Sequence, residues 1–518
     1  MNNSTQNFLK GAVILSVAGA ISKILGALYR IPLARLIGDE GIGLYQMAYP
    51  IYTTILALAT AGVPVAISIL VARKETQGFT GDSKKIFKIS LLVLFIFGLV
   101  LTILVMQSAH FLATYVLKNE QAYYPILAVA PAIFFAGLMS VFRGYFQGYQ
   151  TMMPTAVSQV IEQLFRVTAV LILAYLLFPL GLEFAAAGAT FGAVVGGLVG
   201  LIVLTIYYYK FKKTEGIKGR ELIYSGTSSV TLAKDMIKLA IPVSFGAVVL
   251  PLVQMLDAVI VPSRLMDIGY STSNATALYG QLSGMAAVLI SLPTIFTISI
   301  ATSLVPAISE ALTKKHHQLL NERLNYGFRA GMIISLPSAA GLYVLAYPIC
   351  DLLYGAPEAG FALEPLAFSC VALAAFQLSS AGLQGIGRPE IAMRHLIVTG
   401  ILKVFFNYTL TSVPILNIKG AAIGTVIAFT IGSLLNIIML KKLTRVEYEY
   451  IRLIKITAIT ILMGIATRIA YNFMVASDIK SYLATVLAIS VGVGVYGILL
   501  VLVKEFDINM IKRILKGV

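Results

Sequence analysis

The chain has 518 residues, 58% of them hydrophobic and only 12% charged, with a mean hydropathy of +0.88. Such a composition cannot coat a soluble domain with charge, and the chain contains no long hydrophilic block in which a soluble catalytic domain could sit. The formal charge of +16 raises the question of nucleic acid, but the basic residues are placed as membrane-topology signals and no nucleic-acid partner is expected.

A helix needs about 20 apolar residues to cross the hydrocarbon core. Segments of that kind recur along the whole chain. The first two cover 11–30 and 45–72, and the next four cover 87–107, 121–148, 155–178 and 185–209. After a basic stretch come 236–262, 277–309, 324–347, 361–385, 391–415 and 419–440, and the last two are 453–474 and 481–503. The expected fold is all-α: a polytopic membrane protein of fourteen transmembrane helices. The first apolar run continues into a full span with no small-residue cleavage site, so it is expected to stay as an anchor. With an inside N-terminus, the inward loops and their helix ends hold 23 Lys and Arg and the outward loops five. That asymmetry predicts a multi-pass protein of the bacterial cytoplasmic membrane with both termini in the cytoplasm. Tyrosine must supply any interfacial belt, since the chain has no Trp.

The sequence repeats itself. "YFQGYQTMMPTAVSQVIEQLFRVTAVLIL" from Tyr145 is similar to "GLQGIGRPEIAMRHLIVTGILKVFFNYTL" from Gly382; Gln147-Gly148 falls on Gln384-Gly385 and Arg166 on Lys403, both at an offset of 237. "GATFG" from Gly188 matches "GAAIG" from Gly420, and "VPVAIS" from Val63 echoes "VPAIS" from Val305. Two pseudo-repeated six-helix lobes followed by two C-terminal helices fit the count: an N-lobe over 1–210, a basic cytoplasmic linker over 211–235, a C-lobe over 236–442, and the last two helices with a cytoplasmic tail over 443–518. An even number of helices per lobe gives both copies one orientation, so the repeats are expected to be related by an axis along the membrane normal, with a central cavity between them whose access alternates as they rock.

With loop and helix-terminal residues set aside, six basic residues remain inside the predicted spans, Lys23, Arg30, Arg143, Arg166, Lys403 and Arg468, against two acids, Glu162 and Asp257. Each buried charge costs about 2.5 to 3.5 kcal/mol on insertion scales, so a basic surplus calls for an anionic ligand or water. Lys23 and Arg30 are seven residues apart on one helical face and are candidates to bind it, with Arg166 and Lys403 lending positive potential. Glu162 and Arg166 have the acid-first i,i+4 order of an intrahelical ion pair. Arg143 and Gln147 are read as supporting residues that clamp the hairpin, and Asp257 as a coupling-ion ligand or a helix contact. Cys350 and Cys370 are too few for a disulfide framework or a metal site. No P-loop or metal-ligand spacing occurs, so the chain is read as a transporter without a cofactor. Na⁺, H⁺ or the membrane potential would power it.

The stretches "ISKILGALYRIPLARLIGDEGIGLYQMAYP" from Ile21, "FRGYFQGYQTMMPTAVSQVIEQLFR" from Phe142 and "TSLVPAISEAL" from Thr302 carry a resemblance over essentially the whole chain. It is to the multidrug/oligosaccharidyl-lipid/polysaccharide (MOP) exporter superfamily, in the lipid II flippase and stage V sporulation protein B branch. The resemblance implies fourteen helices, two lobes around a cationic cavity, a lipid-tail groove on the last two helices, and movement of undecaprenyl-pyrophosphate-linked sugars between leaflets. It gives Lys23, in "SKILG", the cavity role. Peptidoglycan flippases commonly carry a further Arg in the second helix and a charged pair in the eighth; here those helices read "YTTILALATAG" and "GMAAVLISLP", which points toward the sporulation branch and spore cortex synthesis. Expected partners are a lipid-linked anionic oligosaccharide, membrane lipids and cell-wall synthesis enzymes. The alternatives are a teichoic or capsular polysaccharide flippase, a cation-coupled multidrug antiporter, and a scaffold that recruits cell-wall enzymes.

Overall fold

A computed structural model of the protein describes residues 3–214 and 222–505, and among these every regular element is a helix. The chain forms two compact units, Met1–Ser263 with Ser271–Gly280, and Arg264–Tyr270 with Gln281–Val518.

The first unit contains α1 (Asn3–Leu28), α2 (Arg30–Thr60), α3 (Val63–Thr76), α4 (Thr80–Phe111), α5 (Tyr123–Val129), α6 (Pro131–Gly148), α7 (Met153–Leu177) and α8 (Leu182–Thr214), most of α9 (Ser229–Asp267), and α10 (Thr272–Tyr279). Proline in the first turn starts α3, α6 and α7, where its missing N–H costs nothing. Inside the α1–α2 stretch Pro32 has the opposite effect, because it cannot donate to the Leu28 carbonyl. The α-helix is broken at Tyr29 and Arg30 begins the next one. That helix is broken again at Gly38, whose φ of 70° a side chain would resist. An aromatic core then ties α4, α6 and α8 together: the Phe87 ring stacks on Tyr208 at 4.7 Å and meets Phe142 edge-on at 5.1 Å.

The second unit contains α11 (Ala287–Thr313), α12 (His317–Val344), α13 (Ala346–Tyr354), α14 (Gly360–Leu366), α15 (Ser369–Gly385), α16 (Pro389–Thr411), α17 (Ile418–Thr444), α18 (Tyr450–Ala476) and α19 (Ser481–Leu502). Ile308, Leu324, Leu378, Leu383 and Leu440 form its fully buried core. The last two helices pack on each other and dock on α12, where the Tyr496 hydroxyl donates to the Ile333 carbonyl at 2.8 Å.

Each unit repeats the packing of the other. α3 lies on α6 as α11 lies on α15, and α7 lies on α8 as α16 lies on α17. Glycine sets the close approach in both. A Cβ on Gly148 would meet Val71 at 2.7 Å, and one on Gly385 would meet Ile308 at 2.7 Å, pairs related by the same offset of 237. Gly188 sits against the Leu173 carbonyl as Gly420 sits against that of Leu410.

By length and composition ten helical stretches can cross a membrane, or twelve if two bent pairs each count as one span, against the fourteen expected. The first stretch, Val13–Thr76, holds 64 residues in one run, whereas the sequence reading divides it in two. α16, the eleventh expected span, carries Arg394, His395 and Lys403 and is not among the ten. The sequence boundary between lobes was placed at 211–235, yet α9 belongs with the first unit as far as Ser263. Its Leu232, Met236 and Ala240 join the core of α3, α4 and α6, and Ser244 accepts a hydrogen bond from the Gly62 N–H at 3.0 Å.

For orientation, single cysteines at exposed positions 118 and 213 provide the measurement, with Cys350 and Cys370 buried and quiet. An impermeant thiol reagent added outside is expected to label position 118 and spare position 213. The reverse pattern would invert the topology.

Candidate functional site

α7 carries Ser158, Glu162 and Arg166 at four-residue spacing, on one face. Glu162 is shared: its Oε1 accepts from Arg166 Nη2 at 2.7 Å and its Oε2 accepts from Arg143 Nη2, on α6, at 2.8 Å. Arg143 also donates to Ser158 Oγ at 3.4 Å. All three charged side chains are mostly buried, with 13 to 18% of their surface exposed. Glycines on α8 make the room. A Cβ on Gly196 would lie 2.8 Å from that of Arg166, and one on Gly200 would lie 3.2 Å from that of Glu162. The i,i+4 pair expected from sequence is therefore one arm of a two-arginine clamp.

α2 brings tyrosines to the same cations. The Tyr29 and Tyr45 hydroxyls bond each other at 2.7 Å, Tyr45 stacks on Tyr49 at 5.4 Å, and Tyr49 meets Tyr52 at 5.7 Å. Arg30 hydrogen-bonds Tyr29 and interacts electrostatically with Tyr45 and Tyr49, while Arg166 hydrogen-bonds Tyr52 and interacts with Tyr49 and Tyr29. Tyr29 and Tyr49 thus interact with both guanidiniums. The result is a cluster of three arginines and one carboxylate, rich in phenol hydroxyls, in which the Arg30 Nε is buried without a hydrogen-bond acceptor. Such a group can bind an anion through charge-assisted hydrogen bonds. Sequence reasoning passed over the tyrosines, although "YQMAYPIY" spaces Tyr45, Tyr49 and Tyr52 at i, i+4 and i+7, a single helical stripe.

The other candidates are placed differently. Lys23, on α1, is exposed and pairs with no carboxylate among the described residues. Its helix packs along α7, with Gly26 opposite Gln163. Because the helix breaks at Tyr29, Lys23 and Arg30 do not share one uninterrupted helix, and Arg30 lies before the Gly38 break rather than at the end of a span. Gln147 and Asp257 are half-buried in the first unit, and Lys403 is half-buried on α16 in the second. Arg468 donates to the Val344 carbonyl at 3.1 Å, an acceptor that the end of α12 leaves open. No group of acids, His or Cys suited to a metal occurs among the described residues.

A family model described as polysaccharide biosynthesis protein matches residues 8–312, more than half of the chain. The chain belongs to that family. A second model, MatE, matches residues 274–409. Stage V sporulation protein B of Bacillus subtilis (strain 168) is 32% identical over 482 residues, covering 92% of this chain and 90% of its own. The lipid II flippase MurJ of the same organism is 28% identical over 521 residues, 95% and 94% of the two chains. The solved inward closed conformation of a lipid II flippase MurJ superposes with a TM-score of 0.72 at 16% identity, over 95% of this chain and 99% of that one. That likeness speaks for the fold. Together these place the polysaccharide biosynthesis protein family member in the MOP superfamily, as a multi-pass membrane protein. Those relatives and neighbours whose names state an activity are flippases and transporters, not enzymes.

Proposed function

We propose that this protein is a flippase that moves an undecaprenyl-pyrophosphate-linked peptidoglycan precursor of the lipid II type across the cytoplasmic membrane, for spore cortex or cell-wall synthesis. The observation that carries the reading is whole-length similarity to stage V sporulation protein B and to a lipid II flippase, in a chain that holds a basic surplus at membrane depth. A pyrophosphate headgroup brings about two negative charges and several acceptor oxygens. Lys23 and Arg30 would meet it, Arg166 and Lys403 would add positive potential, and rocking of the two lobes would alternate access. Arg143, Gln147 and Glu162 would hold the arginines in place, and Asp257 would serve a coupling ion, Na⁺ or H⁺. Both termini would be cytoplasmic, and cell-wall synthesis enzymes would take the product.

A second reading, a flippase for another lipid-linked polysaccharide such as a teichoic or capsular precursor, is favoured by the breadth of the matching family model. The test is headgroup accessibility in vesicles containing the purified protein, with lipid II and a second lipid-linked glycan compared side by side. Faster exposure of lipid II than of the competitor is expected. Equal or preferential exposure of the competitor would select the second reading, and no acceleration of either would remove both.

A further inference from the structure

The offset of 237 carries Arg143, Ser158, Glu162 and Arg166 of the first unit onto Ser380, His395, Thr399 and Lys403 of the second. Where the first unit builds an ion cluster, the second builds a neutral chain. His395 Nδ1 lies 2.8 Å from Asn436 Oδ1, and Asn436 Nδ2 donates to Ser380 Oγ at 2.9 Å. Asn436 is fully buried. An amide oxygen can only accept, so the imidazole Nδ1 carries the hydrogen and Nε2 is left as the base.

A buried amide is costly without partners. On the spacing that relates Gly188 to Gly420, Asn436 takes the place of Leu204, which is fully buried and apolar. The second half thus holds a buried polar residue that the first half does without, and of its two side-chain bonds one meets the imidazole and the other anchors the amide to Ser380. α15 and α17 pack on α16, the Arg264 guanidinium near the end of α9 lies over the Tyr408 ring of α16 at 4.0 Å, and Ile391 and Ala392 join the core with Leu304, Ile308 and Ala311 of α11, whose one titratable side chain is Glu310. α15 carries one titratable side chain, Cys370, near its start, and α17 carries Lys419 at its start and Lys441 and Lys442 near its end. Neither carries a carboxylate. On α16 itself stand Glu390, Arg394, Lys403 and Tyr408. Imidazole is the side chain that changes charge between pH 5 and 8.

We propose that His395 is a proton-binding site, and that its protonation adds a second cation to the α16 face of His395, Thr399 and Lys403, so that handling of an anionic substrate depends on pH. The second half of this statement rests on the flippase reading; the first does not. The protein has four histidines, so the His395 resonance can be assigned by loss in His395→Gln and followed in isotope-labelled protein in nanodiscs. Its chemical shift is expected to respond to pH. Lipid II binding, whose phosphate and carboxylate groups ionise well below the imidazole range, is expected to tighten about threefold from pH 8 to pH 5.5. That slope is expected to vanish in His395→Gln and in His395→Asn, and to persist at lower affinity in Lys403→Gln. A pH slope unchanged in both histidine variants, or a His395 resonance that does not titrate, would overturn the proposal. Absence of lipid II binding at every pH would instead remove the flippase reading, while the resonance still reports the proton site directly.

Discussion

Replacing Glu162 with alanine is expected to lower the amount of folded protein in the membrane sharply, by about 3 to 5 kcal/mol of stability. Glu162 holds two guanidiniums at 2.7 and 2.8 Å, and all three side chains are at least four-fifths covered. Without the carboxylate, Arg143 and Arg166 face each other's charge with Ser158 and the tyrosines as partners, and none of these is anionic. Removal of one member of a buried pair strands the other, which is why the loss exceeds the net worth of the pair. Glu162→Gln keeps one acceptor oxygen and should lose less. Combining Glu162→Ala with Arg166→Leu should recover part of the loss, because one stranded charge is gone. Membrane abundance and the thermal midpoint of the purified protein measure all three. Wild-type values for Glu162→Ala would show that the clamp does not contribute to the fold.

The all-helical membrane fold was legible because apolar runs of spanning length are local, additive signals. The duplication was legible too, since the glycines that match in sequence are those that the packing of α6 on α3 and of α15 on α11 demands. Helix limits were harder. Gly38 breaks α2 between the expected spans 11–30 and 45–72, where hydropathy does not register a change of backbone conformation. The allegiance of α9 to the first unit depends on contacts such as Gly62 to Ser244, separated by 182 residues, which no local pattern encodes. At the candidate site the i,i+4 pair could be read from spacing alone, whereas the Arg143 arm spans two helices. The tyrosine stripe was visible as a periodicity, but its meaning needed the arginines placed beside it.

Lys23→Ala is expected to abolish flipping while leaving the protein folded and in the membrane. The side chain is exposed and pairs with no carboxylate among the described residues, so its removal strands nothing. Its value lies in the ligand it would meet. A hydrogen bond to a charged group is worth about 1.5 to 3 kcal/mol, so losing one from the pyrophosphate should cost roughly ten- to a hundredfold in affinity. Arg30→Gln should add to the loss, though with some loss of stability, because Arg30 is packed among Tyr29, Tyr45 and Tyr49. Affinity for lipid II should also weaken as salt rises, and less steeply in the double variant, since fewer charges remain to be screened. A cationic drug would meet repulsion from the same groups, growing as the dielectric falls. Binding of lipid II and of a cationic drug to the purified protein decides between them. Normal flipping by a Lys23→Ala protein present at wild-type level would sink the cationic-site reading. Drug binding indifferent to Lys23 and Arg30 but lost in Asp257→Asn would turn the assignment toward an antiporter.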